Sequence, residues 1–239
     1  MRGYMLKSKR WIFGEVLWGR ADASKQRYVR IEKGLGTERM GRFYERELPE
    51  GYIEALVVDA YDKKSSRGMQ LLALVIAVIA FNMVLFFYII PQWSEIRSGF
   101  SIIGGIGVIA AYFLYISLHE LTHGAVYKLM TKQKVMLGFK PPAAYCGVPD
   151  IYLYRITSLV SLFAPFTVFG ILFVGLFFLI GDPFVKTLIL VLLALHLMGC
   201  SGDLYGAWIL LRKLRDPATL RKDMGPAQIY YTRIADQDD

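Results

Sequence analysis

The chain has 239 residues, 55% of them hydrophobic and 14% aromatic, with a mean hydropathy of +0.39 and a formal net charge of +8. Such a composition is too apolar for an ordinary soluble domain of this length and indicates a membrane protein. The positive charge suits anionic lipid headgroups, and no basic patch interleaved with aromatics marks a nucleic-acid surface.

Residues 1–68 read as a small cytoplasmic region. The stretch RWIFGEVLW mixes aromatics with charge, as segments lying on a membrane surface do. RYVRI and YIEALVVDAY are β-leaning runs too short for a core of their own, and LPEGY at 48–52 is a turn signal. The first apolar run follows these 68 mostly polar residues. It is too long for a signal-peptide core, so the chain is expected to stay in the membrane.

Crossing a hydrocarbon core takes about 20 helical residues. The stretches 69–90, 101–127, 157–181 and 184–211 are each long enough. In the first, Asn82 is expected to bond between helices, and the second opens on Gly104, Gly105 and Gly107, which allow close helix approach. Between the second and third, KVMLGF predicts a short strand, KPPA a turn, and AAYCGVPDIYLY an irregular aromatic return. Backbone of that kind at membrane depth must line a cavity or pack on protein. Pro165 is expected to bend the third span, GDPF joins it to the fourth, and residues 212–239 read as a cytoplasmic tail. Cys146 and Cys200 are expected to be small buried groups, without a disulfide.

Of 28 Lys and Arg, 15 fall in the first 68 residues, five in 128–156 and six from Arg212 onward. The two other connections hold one each. The positive-inside rule then puts both termini and the middle loop in the cytoplasm, with the chain in the cell membrane. The expected fold class is all-α. Four transmembrane helices (69–211) carry a short irregular or β re-entrant segment between the second and third.

Away from the span ends, the ionisable residues within these stretches are His119, Glu120, His123, His196 and Asp203. Each costs at least ~2–3 kcal/mol in hydrocarbon, so each should face an interior and a partner. HELTH matches H-E-x-x-H, whose two histidines share one helix face and can hold one Zn²⁺, with Glu120 rotated toward a water as general base. Two histidines leave zinc short of a ligand. His119 lies nine positions before Lys128, and Asp203 nine before Arg212, about 13 Å from those anchors in each case. His196 is seven residues earlier, about 10 Å toward the outside. Depth therefore favours Asp203 as third ligand and leaves His196 as a hydrogen-bonded interior histidine, one standing behind a ligand, or one on the substrate path. The small residues of GCSGDLYGAW would let another helix come close enough for a short carboxylate to reach.

HELTHG, LGFKPPAAYCG, YLYRITSLVSLFAPF and GCSGDL together resemble the "Putative zincin peptidase" family of bacterial membrane proteins, over about residues 48–212. They are more distantly similar to site-2 proteases, intramembrane zinc enzymes with H-E-x-x-H on one span and a metal-binding Asp two spans later. Asp203 here is followed by Leu where those enzymes usually carry Gly. The resemblance implies zinc on His119, His123 and Asp203, and Glu120 as catalytic base. The leading expectation is a zinc-dependent intramembrane endopeptidase acting on a transmembrane protein or peptide in the lipid bilayer. The KVMLGF strand would hold the unwound substrate and PPAAYCG would shape the cleft. A metal or proton transporter using the same groups as a relay is the alternative, as is a zinc-binding scaffold without catalysis. No oxyanion donor stands out in the sequence.

Overall fold

A computed structural model describes residues 43–99, 102–140 and 143–234. RWIFGEVLW and RYVRI lie outside them. Strands β1 (Tyr44–Glu45) and β2 (Tyr52–Asp59) precede α1 (Arg67–Val84), which runs on through a π-helical turn, Leu85–Ile89. A short α2 (Trp93–Ile96) leads to α3 (Ile102–Thr131). Then come β3 (Met136–Lys140), β4 (Ala143–Gly147), β5 (Tyr152–Tyr154) and α4 (Arg155–Leu179). Helices α5 (Pro183–Gly199) and α6 (Ser201–Trp208) form one broken rod, extended by a π-helical turn at Ile209–Lys213. The chain closes with β6 (Leu220–Asp223) and β7 (Ala227–Arg233).

Among the described residues, four helical segments are long and apolar enough to cross a membrane: Arg67–Ile89, Gly105–Thr131, Arg155–Leu179 and Pro183–Lys213. Each matches an apolar stretch of the sequence to within a few residues. Asp182 caps α5 by accepting from Val185 N–H at 2.8 Å, with Pro183 in the first helical position. Pro165 sits inside α4 without ending it.

Two expectations about packing need correction. A Cβ at Gly105 or Gly107 would meet nothing within 4 Å, so these glycines mark no close contact. Close approach occurs along α6 instead. A Cβ at Gly202 would lie 3.3 Å from Met69 Sδ of α1, and one at Gly206 3.0 Å from Gln228 Oε1 of β7. Asn82 does not bond between helices; exposed, it donates to the Val78 carbonyl one turn back on α1, at 2.7 Å.

An all-α description is also too narrow, because among the described residues seven strands accompany the helices. β3 and β4 form an antiparallel hairpin, and the rest make one antiparallel sheet in the order β1-β5-β6-β7-β2. YIEALVVDAY lacks a core of its own because its partner is β7, with Tyr52 opposite Arg233 and Asp59 opposite Ala227. Across this sheet Val58 and Tyr230 pack with Leu162, Ala207, Ile209 and Leu210 of α4 and the α6 rod. The tail after the last helix is therefore part of the fold.

Period-two alternation puts Arg221 and Asp223 of β6 on one face, and that face is buried. The Arg221 guanidinium donates to Asp223 Oδ2 at 3.0 Å, Tyr127 Oη at 2.6 Å and Ser161 Oγ at 3.2 Å. Tyr127 in turn donates to Asp223. Burial opposes the arginine's charge, but Tyr127 and Asp223 beside it outweigh that and hold its pKa above the ordinary value. The turn after β6 reaches β4: Val148 N–H donates to the Asp223 carbonyl at 3.0 Å, and a Cβ at Gly147 would lie 2.6 Å from Gly225 N.

Removing one member of a buried ion pair leaves the other charge uncompensated. Arg221→Ala should therefore lower stability by about 3–5 kcal/mol. Thermal unfolding in detergent should show a clearly reduced midpoint, while Arg233→Ala on the exposed end of β7 stays near wild type. Equal midpoints would mean that the sheet does not depend on this network.

Candidate metal centre

HELTH lies in α3, where residues four apart share a face. His119 and His123 are each only 7% exposed, and their ring centroids are 5.1 Å apart. Opposite them stands Asp203, in the first turn of α6. The break at Cys200 creates that helix start, and a helix N-terminus favours a carboxylate. His119 Nε2 is 3.3 Å from Asp203 Oδ2, and His123 Nε2 is 3.4 Å from Oδ1. The three ligand atoms all lie within 4.8 Å of one another.

These distances test whether a metal fits. Tetrahedral zinc with bonds of ~2.0–2.1 Å places neighbouring ligand atoms about 3.3–3.4 Å apart. Each imidazole nitrogen stands at that separation from one carboxylate oxygen. His123 Nδ1 lies 2.9 Å from the Ser161 carbonyl of α4, which can only accept. A proton is therefore on Nδ1, and Nε2 faces a carboxylate oxygen. Either a proton on Nε2 or a metal ion between the two satisfies that pair. His119, His123 and Asp203 are placed to hold a metal ion.

Glu120 points elsewhere. It lines a cavity of about 380 Å³ with the three ligands, and Tyr61, Met69, Tyr145, Cys146, Asp223 and Gln228 complete the walls that matter here. A smaller cavity of about 170 Å³ also meets His119 and Glu120, against Tyr112, Ile116 and Gly199. Ala144 of β4 borders both. Roomier concavities lie along residues 43–50 and between α1 and α5, but neither meets the His, Glu and Asp groups. The Cys146 backbone N–H faces the Glu120 carboxylate, so β4, not β3, is the strand that borders the site. Both cysteines are free and buried. Burial pushes the Cys146 thiol up to about 12, which leaves it inert as a nucleophile near neutral pH.

His196 is closer than its depth in the sequence suggests. Its ring centroid is 6.4 Å from that of His119, with the Tyr115 hydroxyl between them, 2.8 Å from His196 Nδ1 and 3.1 Å from His119 Nδ1. Tyr115, Tyr127 and Gln228 were not visible as site residues from motif reasoning. For the two tyrosines a signal exists: Tyr115, His119, His123 and Tyr127 stand four residues apart, one continuous stripe of α3. Gln228 gives no such signal, since only β-pairing brings it in.

Purified protein should carry about one zinc per chain, and Asp203→Ala should lose most of it under the same handling. Elemental analysis of the two side by side checks this, and equal zinc in both would remove Asp203 from the centre.

Residues 112–216 match the model of a family described as Putative zincin peptidase, a stretch that includes all three ligands and Glu120. No curated protein and no solved structure matches the chain. The similarity implies zinc as the metal and peptide hydrolysis as the chemistry.

Proposed function

We propose that this protein is a zinc-dependent intramembrane endopeptidase, hydrolysing a peptide bond in a transmembrane segment. The observation that carries this is the convergence of His119, His123 and Asp203 ligand atoms to within 4.8 Å on two apolar helices, with a glutamate beside them in an open cavity. Zinc bound there supplies a Lewis acid and a water acidic enough to be deprotonated near neutral pH.

The protein's own groups do the rest. His119, His123 and Asp203 hold the ion. Glu120, whose carboxylate faces the cavity and the Cys146 N–H, takes a proton from the attacking water. As the water oxygen bonds to the peptide carbon and the C–N bond breaks, Glu120 returns that proton to the leaving amine. Gln228 is the donor suited to the substrate carbonyl oxygen. Its own Oε1 accepts from Tyr230 at 2.7 Å and from Arg221 at 3.4 Å. Arginine only donates, which fixes the amide oxygen toward it and leaves the N–H end to the cavity that Gln228 lines.

Helical amides are shielded by their own hydrogen bonds, so the substrate must be locally extended to react. β4 is the strand positioned to receive it by edge pairing. By the positive-inside rule both termini and the β3–β4 loop would lie on the cytoplasmic side, and the cut would then fall in the cytoplasmic third of the bilayer. A relay for metal or protons needs no such edge, nor a glutamate one residue after a ligand.

Glu120→Gln should keep about one zinc and slow cleavage roughly 10²–10⁴-fold, the share a general base contributes. Membranes of that variant should accumulate an uncut single-span protein that wild type processes. A silent Glu120→Gln would end the peptidase reading. Gln228→Ala should slow cleavage roughly 10²–10³-fold with zinc unchanged, as loss of one oxyanion donor does. Wild-type rates in that variant would return Gln228 to a packing role.

A further inference from the structure

His123 receives its tautomer locally, from the Ser161 carbonyl. His119 has no carbonyl on Nδ1. It has the Tyr115 hydroxyl, and a hydroxyl can give or take a proton. What decides the direction lies one step farther on. Tyr115 Oη is also 2.8 Å from His196 Nδ1, and the other nitrogen of that ring, Nε2, is 3.2 Å from the Phe166 carbonyl oxygen of α4. With His196 neutral, the carbonyl holds its proton on Nε2, and Nδ1 must accept. Tyr115 therefore donates to His196, and its oxygen accepts from His119 Nδ1–H. Each link admits one polarity. Cys200 Sγ, 3.5 Å from His196 Nδ1, adds a second donor of the same sense. His196 is fully buried against Phe166, Phe169 and Phe173, away from competing water.

We propose that Tyr115 and His196 are positioning residues, holding His119 in the tautomer whose Nε2 lone pair faces Asp203. This rests on the metal reading of His119, His123 and Asp203. Neither residue touches the ion or the substrate; both act through His119. The chain Phe166–His196–Tyr115–His119 spans α4, α5 and α3, so two neighbouring helices orient a ligand carried by a third. The same atoms have one rival use, because His119, His196 and Cys200 also bring donor atoms within 4.8 Å of one another and could hold a second ion.

The protein has three histidines, all in this group, so nitrogen-15 imidazole spectra of the full-length chain in detergent report on nothing else. In chelated wild type, His119 should carry its proton on Nδ1. Tyr115→Phe should give mixed His119 tautomers and zinc binding weaker by about 10–100-fold, the usual cost of losing a partner behind a metal ligand. His196→Leu should do the same. His196→Gln, whose amide can accept from Tyr115 and donate to Phe166, should stay within about threefold of wild type. Unchanged tautomer and affinity in both Tyr115→Phe and His196→Leu would overturn the proposal. So would two zinc ions per wild-type chain with one lost in Cys200→Ser. Zinc-free wild type would count against the metal reading instead, with the spectra still deciding the hydrogen-bond chain.

Discussion

A carboxylate inside a helix bundle must be matched, and the way Asp203 is matched sets much of this structure. Each of its oxygens faces one imidazole nitrogen of α3, which fixes the height of α6 against α3. The backs of those imidazoles are bonded in turn, His123 to Ser161 of α4 and His119 through Tyr115 to His196 of α5. Three helices thus converge on the carboxylate through hydrogen bonds, and α1 closes the cavity with Met69. A slip of one residue along any of them would leave a buried polar group without its partner, at a cost of several kcal/mol.

The sheet extends this arrangement beneath the bundle. Ser161 faces the metal site with its carbonyl and the sheet with its hydroxyl, where Arg221 donates to it. Tyr127, one turn beyond His123, is held by the same guanidinium. The cation buried in β6 therefore braces two residues adjacent to the three groups placed to hold a metal ion. Residues 220–233 lie beyond the stretch similar to the zincin peptidase family, yet they supply Arg221, Asp223 and Gln228.

Much of the centre was legible in the sequence because helical spacing and depth are both linear. HELTH puts two imidazoles on one face, and equal distances to Lys128 and Arg212 level Asp203 with them. The depth count that demoted His196 as a ligand treated α5 and α6 as one straight rod and had no means of seeing a tyrosine bridge. The sheet was hidden for a different reason. YIEALVVDAY and AQIYYTR are ordinary short strands that become a sheet only when four helices bring residues 52–59 and 227–233 together. Long-range pairing leaves no local periodicity, so Gln228 and Arg221 could not be attached to the centre by inspection.

The turn between β6 and β7 also limits what β4 can hold. Its seat on Gly147 and the bond from Val148 to Asp223 occupy the end of that strand, leaving the backbone of Ala143–Cys146 before the obstruction. An extended segment laid along β4 meets this stop after about four residues, a run of ~13 Å. Four residues are also about one turn of helix. For the substrate proposed above the edge would act as a ruler: a guest helix would need to melt by only a single turn, exposing no more polar backbone than the edge could satisfy.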